Sequence, residues 1–92
     1  MQRTQAATAE AAILSRLVKP NQADFSPEVA EALLRLDFDQ EDRDRMHELA
    51  IKGQEGSLTP AEEEELASYR RIGYFVDLMR SKARISLKKH GR

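Results

Sequence analysis

Four stretches of the chain repeat apolar residues at helical spacing, and no stretch alternates with the period of a strand. Between Ala9 and Val18, the residues Ile13, Leu14, Leu17 and Val18 recur so that one face can dock. Lys19-Pro20-Asn21 ends this segment, because a residue preceding proline is pushed out of the right-handed helical region. Ser26-Pro27-Glu28 then reads as a helix start, with Ser26 as cap, Pro27 in the first position and Glu28 at the positive end of the dipole. Val29, Ala32, Leu33 and Leu36 follow on one stripe, predicting a short helix that ends before Phe38. Asp39 opens a third helix with an acidic first turn, in which Met46, Leu49, Ala50 and Gly53 repeat on one face and Gly56 supplies a left-handed stop.

The strongest local signal is Leu58-Thr59-Pro60-Ala61-Glu62. Thr59 as cap, Pro60 at the first position and Glu62 three residues after the cap make a capping box. No proline follows, and helical character persists to about Leu87. Leu66, Tyr69, Gly73 and Val76 form one stripe, which Ala83 and Leu87 continue after a break at Arg80. Ile72, Phe75 and Met79 form a second stripe beside it, widened by Tyr74 and Leu78. A helix apolar over so much of its circumference wants cover on more than one side. Gly73 costs about 1 kcal/mol against alanine there, and a close helix crossing is the ordinary reason to keep it.

The expected fold is therefore all-α: a small bundle of three short helices packed on one long C-terminal helix, 60–88, in a single domain of 92 residues with residues 1–7 frayed. A helix of that length rises about 42 Å, against a radius of gyration of about 12 Å for a compact domain of this size. Its C-terminal end is expected to overhang the body. That end is basic: residues 80–92 hold six Lys/Arg and no Asp/Glu, inside a chain whose net charge is only −1.

Composition mainly excludes. Without cysteine there are no disulfides, thiolate metal sites or cysteine nucleophiles. No apolar run reaches the length of a membrane span, and MQRTQAATAE lacks the apolar core of a secretory signal, so a cytoplasmic protein is expected. Asp37, Asp39, Glu41 and Glu48 fall at calcium-loop spacing, but Asp42 stands where that loop needs glycine and Arg43 and Arg45 would repel the ion. The two histidines, His47 and His90, form no metal-binding or catalytic pair. The glutamates 62–65 fit the stabilised start of a helix, and only Glu62 and Glu65 share a face. With no P-loop or nucleophile elbow either, neither a cofactor nor an enzymatic activity is expected.

Two surfaces remain. Tyr69, Ile72, Tyr74, Phe75, Met79 and Arg84 carry the residue types that anchor protein interfaces. Arg80, Lys82, Arg84, Lys88 and Lys89 offer phosphate contacts for salt-sensitive nucleic-acid binding, although the tail lacks interleaved aromatics. A homodimer is a third possibility, since two long helices paired antiparallel would set each basic end beside the other's acidic start.

The segments ILSRLVKP, FSPEVAEALLRLDF, DRDRMHELAIKGQEGSLTPAEEEELASY and DLMRSKARISLKK, in that order over residues 13–89, resemble a group of small helical bacterial proteins common in cyanobacteria and planctomycetes. Members of that group are similar to proteins encoded beside small HNH-type endonucleases. The resemblance implies a helical fold and a protein partner, with an antitoxin-like or accessory role toward such a nuclease. It carries no site residues with it.

Overall fold

The structure, a computed structural model, describes the backbone of residues 2–91 and the side chains of residues 9–91. Four helices and no strand occur among them: α1 (Gln2–Val18), α2 (Pro27–Leu34), α3 (Gln40–Gln54) and α4 (Pro60–Lys89). The long helix α4 packs against the three shorter ones. Helix α1 starts at Gln2, earlier than the Ala9 start expected from the sequence, within the residues 1–7 expected to fray.

Local chemistry sets the helix ends as the sequence predicts. Ser26 Oγ accepts the Val29 N–H at 3.3 Å, and Asp39 Oδ1 accepts the Asp42 N–H at 3.0 Å. At the start of α4 the capping box closes in both directions. The Glu62 N–H donates to Thr59 Oγ1 at 3.1 Å, and the Thr59 N–H donates to Glu62 Oε1 at 3.0 Å. Helix α3 ends in a Schellman motif, with Ser57 N–H bonded to the Lys52 carbonyl and Gly56 N–H to that of Gly53. Gly56 sits at φ 70°, which a residue with a Cβ adopts only under strain. Lys19, before Pro20, leaves α1 at φ 53°.

The described residues group into two compact units that share α4. One is Asp37–Gly73: α3 and residues 60–73 of α4. Its fully buried centre is Leu49 alone; Phe38, Met46, Leu58 and Leu66 are half-buried, and directed polar bonds join α3 to α4. Arg45 makes a two-pronged bond to Glu65 with both distances 2.8 Å, and a further ion pair to Glu48 at 3.0 Å. Lys52 bonds Glu62, and the Tyr69 hydroxyl donates to Asp42 Oδ1 at 2.8 Å. The Phe38 ring meets Tyr69 edge-on, with centroids 5.9 Å apart. Phe38 also lies 3.9 Å from where a Cβ on Gly73 would be. The space at Gly73 thus faces an aromatic ring from the α2–α3 link, where a helix crossing was expected.

The other unit takes the chain up to Leu36 and from Tyr74 onward, so it joins α1, α2 and residues 74–89 of α4. Val18, Ala30, Ala83 and Ser86 are its buried centre, with Lys82. Because Ala30, Ala83 and Ser86 are small, their complete burial requires close backbone approach, with little interleaving of large side chains. Two expectations are corrected here. The basic end of α4 does not overhang: residues 82–86 are the most buried turn of the helix, packed in the same unit as α1 and α2. On α2 the buried position is Ala30, with Leu33 and Leu34 half-buried, whereas Val29 and Leu36 are exposed.

Thr59→Ala removes one side of the capping box and is expected to cost about 1 kcal/mol in urea unfolding. Acid acts on the same unit. The Lys52 ammonium and the Thr59 backbone N–H hold the Glu62 carboxyl down to about 2, from an ordinary value of 4.5. Its folded form therefore favours the charged state, and the resulting stability is complete above pH 4.5 and is lost as pH falls toward 2. Thermal melts followed by circular dichroism between pH 6 and pH 2 should show that loss, and Glu62→Gln should flatten it.

Candidate functional site

An apolar groove lies in the unit that holds α1, α2 and the C-terminal part of α4. Leu17 and Val18 from α1, Phe25 from the α1–α2 link, and Phe75, Met79 and Lys82 from α4 line it, around a volume of about 280 Å³. Leu17 is 73% exposed and Phe75 36%, so large apolar side chains stand open to solvent along it. Ile13, one turn before Leu17, and Tyr74, beside Phe75, extend the exposed apolar surface. Scattered apolar residues need no explanation, but a contiguous set that lines a concavity does.

Lys82 builds this groove. Its Nζ donates to the Val18 carbonyl oxygen at 2.7 Å and pairs with Asp24 Oδ1 at 2.7 Å. It also stands 4.7 Å from the centroid of the Phe25 ring. The carbonyl it takes up belongs to the last turn of α1, where carbonyls lack partners within the helix and the dipole favours a cation. A residue 64 positions away therefore caps α1. The same ammonium holds the Asp24 carboxyl below its ordinary value. Ser86, one turn beyond Lys82 and fully buried, accepts the Phe25 N–H at 3.2 Å through its Oγ. Two polar residues of α4 thus fasten the α1–α2 link at Asp24–Phe25 and set the Phe25 ring as a wall.

The residues singled out from the sequence divide sharply. Phe75 and Met79 are in the groove, and Tyr74 lies beside it with its hydroxyl 3.0 Å from Ser15 Oγ. Ile72 is 53% exposed but belongs to the Asp37–Gly73 unit, as does Tyr69, whose hydroxyl and ring are engaged by Asp42 and Phe38. Arg84 is exposed, as are Lys88 and Lys89. Lys82 is buried on internal partners and offers nothing to a phosphate. Arg80 is half-buried, and its Nε has no hydrogen-bond partner. Leu17, Val18 and Phe25 were not among those residues. Leu17 and Val18 lie on the docking face read for α1, and Phe25 had no periodic neighbours to draw attention to it.

Three of the four acidic residues at calcium-loop spacing have other partners: Asp37 binds Arg43, Asp39 caps α3 and Glu48 binds Arg45. Among the described residues no three His, Asp or Glu side chains are grouped to hold a metal ion, and no helix is long and apolar enough to cross a membrane.

Lys82→Met keeps the aliphatic stem but leaves the Val18 carbonyl and Asp24 without their partner. A loss of about 1–3 kcal/mol is expected in urea unfolding. Leu17→Glu, at an exposed position, should change stability by less than about 0.5 kcal/mol.

In comparisons with protein-family models, curated proteins and solved structures, nothing matches the chain.

Proposed function

We propose that this chain is a non-enzymatic helical module that binds another protein through the groove between α1 and the C-terminal part of α4. One observation carries the reading: the described residues bury only four apolar side chains, two of them alanines, while eight large ones are exposed. A folded chain that leaves Leu17, Ile13, Tyr74 and Phe75 in water gains stability by covering them, at about 25 cal/mol per Å² of apolar surface removed. Aromatic and methionine side chains at the groove are the types that carry binding energy in interfaces. The groove, about 280 Å³ in volume and open to solvent, has room for apolar side chains of a partner. The resemblance of the sequence to proteins encoded beside HNH-type endonucleases makes a small nuclease the first partner to test, with this chain in an antitoxin-like or accessory role.

The test is capture from the host cell with tagged wild type and tagged Leu17→Glu in parallel, with light scattering on the eluates. A stoichiometric protein recovered by wild type and lost with Leu17→Glu is the expected outcome, with both baits equally helical by circular dichroism. Equal recovery by both removes the groove from the interaction. Nucleic acid released between about 50 and 200 mM salt would move the task to the exposed Arg84, Lys88 and Lys89.

A further inference from the structure

We infer that the groove's occupant is an acidic amphipathic helix of the partner protein, a step that rests on the protein-binding reading above. Charge is distributed unevenly between the two units. The unit that holds the groove carries eight Lys/Arg against five Asp/Glu between residues 9–36 and 74–91, although the whole chain is net negative. The Asp37–Gly73 unit has the opposite balance, with five basic and eleven acidic residues. The groove therefore sits on the basic part of an acidic chain.

The charges nearest the groove sharpen the point. Arg16 precedes Leu17 and Lys19 follows Val18, so cations flank the α1 wall in sequence; both are exposed and neither is in an ion pair among the described residues. Of the acidic residues that adjoin lining residues in sequence, Asp24 is paired with Lys82, while Asp77, between Phe75 and Met79, is exposed and leaves the α4 side less basic than the α1 side. Like charges brought onto Arg16 and Lys19 would repel, and carboxylates would be drawn in and oriented. The slot itself is lined by the Leu17, Phe25, Phe75 and Met79 side chains and takes apolar anchors. Apolar anchors on one face and carboxylates on its flanks, at the spacing of one or two helical turns, describe an amphipathic helix seated in a groove.

The experiment is selection from a displayed library of 16-residue helical peptides. Apolar residues are fixed at four positions spaced i, i+3, i+7 and i+10, and every other position is drawn equally from Glu, Lys and Gln. Wild type, the uncharged variant Leu17→Gln and the double variant Arg16→Glu/Lys19→Glu are the targets. Peptides enriched at least about tenfold on wild type over Leu17→Gln should be predominantly glutamate-bearing, and the double variant should lose them by a similar factor. Groove-dependent peptides of neutral or basic character overturn the acidic occupant while leaving the protein-binding groove standing. If no peptide distinguishes wild type from Leu17→Gln, both readings fall. Light scattering that shows a dimer abolished by Leu17→Glu gives the groove to a second copy of the chain and likewise overturns the inference.

Discussion

The ammonium of Lys82 is the group on which one of the two units is organised. A charge is expensive to bury unless it is paired and hydrogen-bonded, and this one has a helix-terminal carbonyl, a carboxylate and an aromatic face around it. Each partner comes from a different part of the chain segment that precedes α2: the end of α1, then Asp24, then Phe25. Those contacts fix where α1 stops and where the link to α2 turns. The groove is a consequence, because its α1 wall and its Phe25 wall are both placed by what Lys82 and Ser86 hold. An apolar residue at position 82 would fill space but would not select this arrangement of the link over others.

The Asp37–Gly73 unit solves the same shortage of apolar residues differently. With Leu49 as its only fully buried side chain, its specificity comes from directed polar bonds between α3 and the first half of α4. Arg45 on Glu65, Lys52 on Glu62, and Tyr69 on Asp42 fix the register of one helix on the other. The pairings also perturb one another's protonation. Arg45 holds the Glu65 carboxyl below its ordinary value, and the bond to Asp42 raises the Tyr69 hydroxyl. Partly exposed ion pairs of this sort contribute modestly to stability, but a two-pronged guanidinium bond is demanding in geometry.

Helix ends were the most legible part of the fold. Ser26, Asp39 and Thr59 are all observed caps, Glu62 completes its box, and Gly56 stops α3, because each depends on chemistry within a few residues. Faces were harder to read where polar residues occupy packed positions. The stripe Ile72, Phe75, Met79 continues at helical spacing into Lys82 and Ser86, and a search for apolar periodicity stops at the first of them. Asp42, Arg45 and Lys52 hide the packed face of α3 in the same way, since a charged residue ordinarily marks solvent. Their partners on other elements lie 10 to 64 positions away, beyond any local pattern. Of the candidate site, Phe75, Met79 and Tyr74 could be read from the sequence, while the α1 wall and Phe25 needed the fold to bring them alongside.

The long separation in sequence between Lys82 and the segment it fastens has a consequence for biosynthesis. A chain emerging from the ribosome, N-terminus first, exposes α1 and α2 long before the turn that holds them exists. The Asp37–Gly73 unit has all its residues as soon as translation has passed Gly73, but the groove must wait for Lys82 and Ser86 to clear the exit tunnel. Chains that stop short of Lys82 carry Leu17 and Phe25 without the contacts that hold that segment alongside α4.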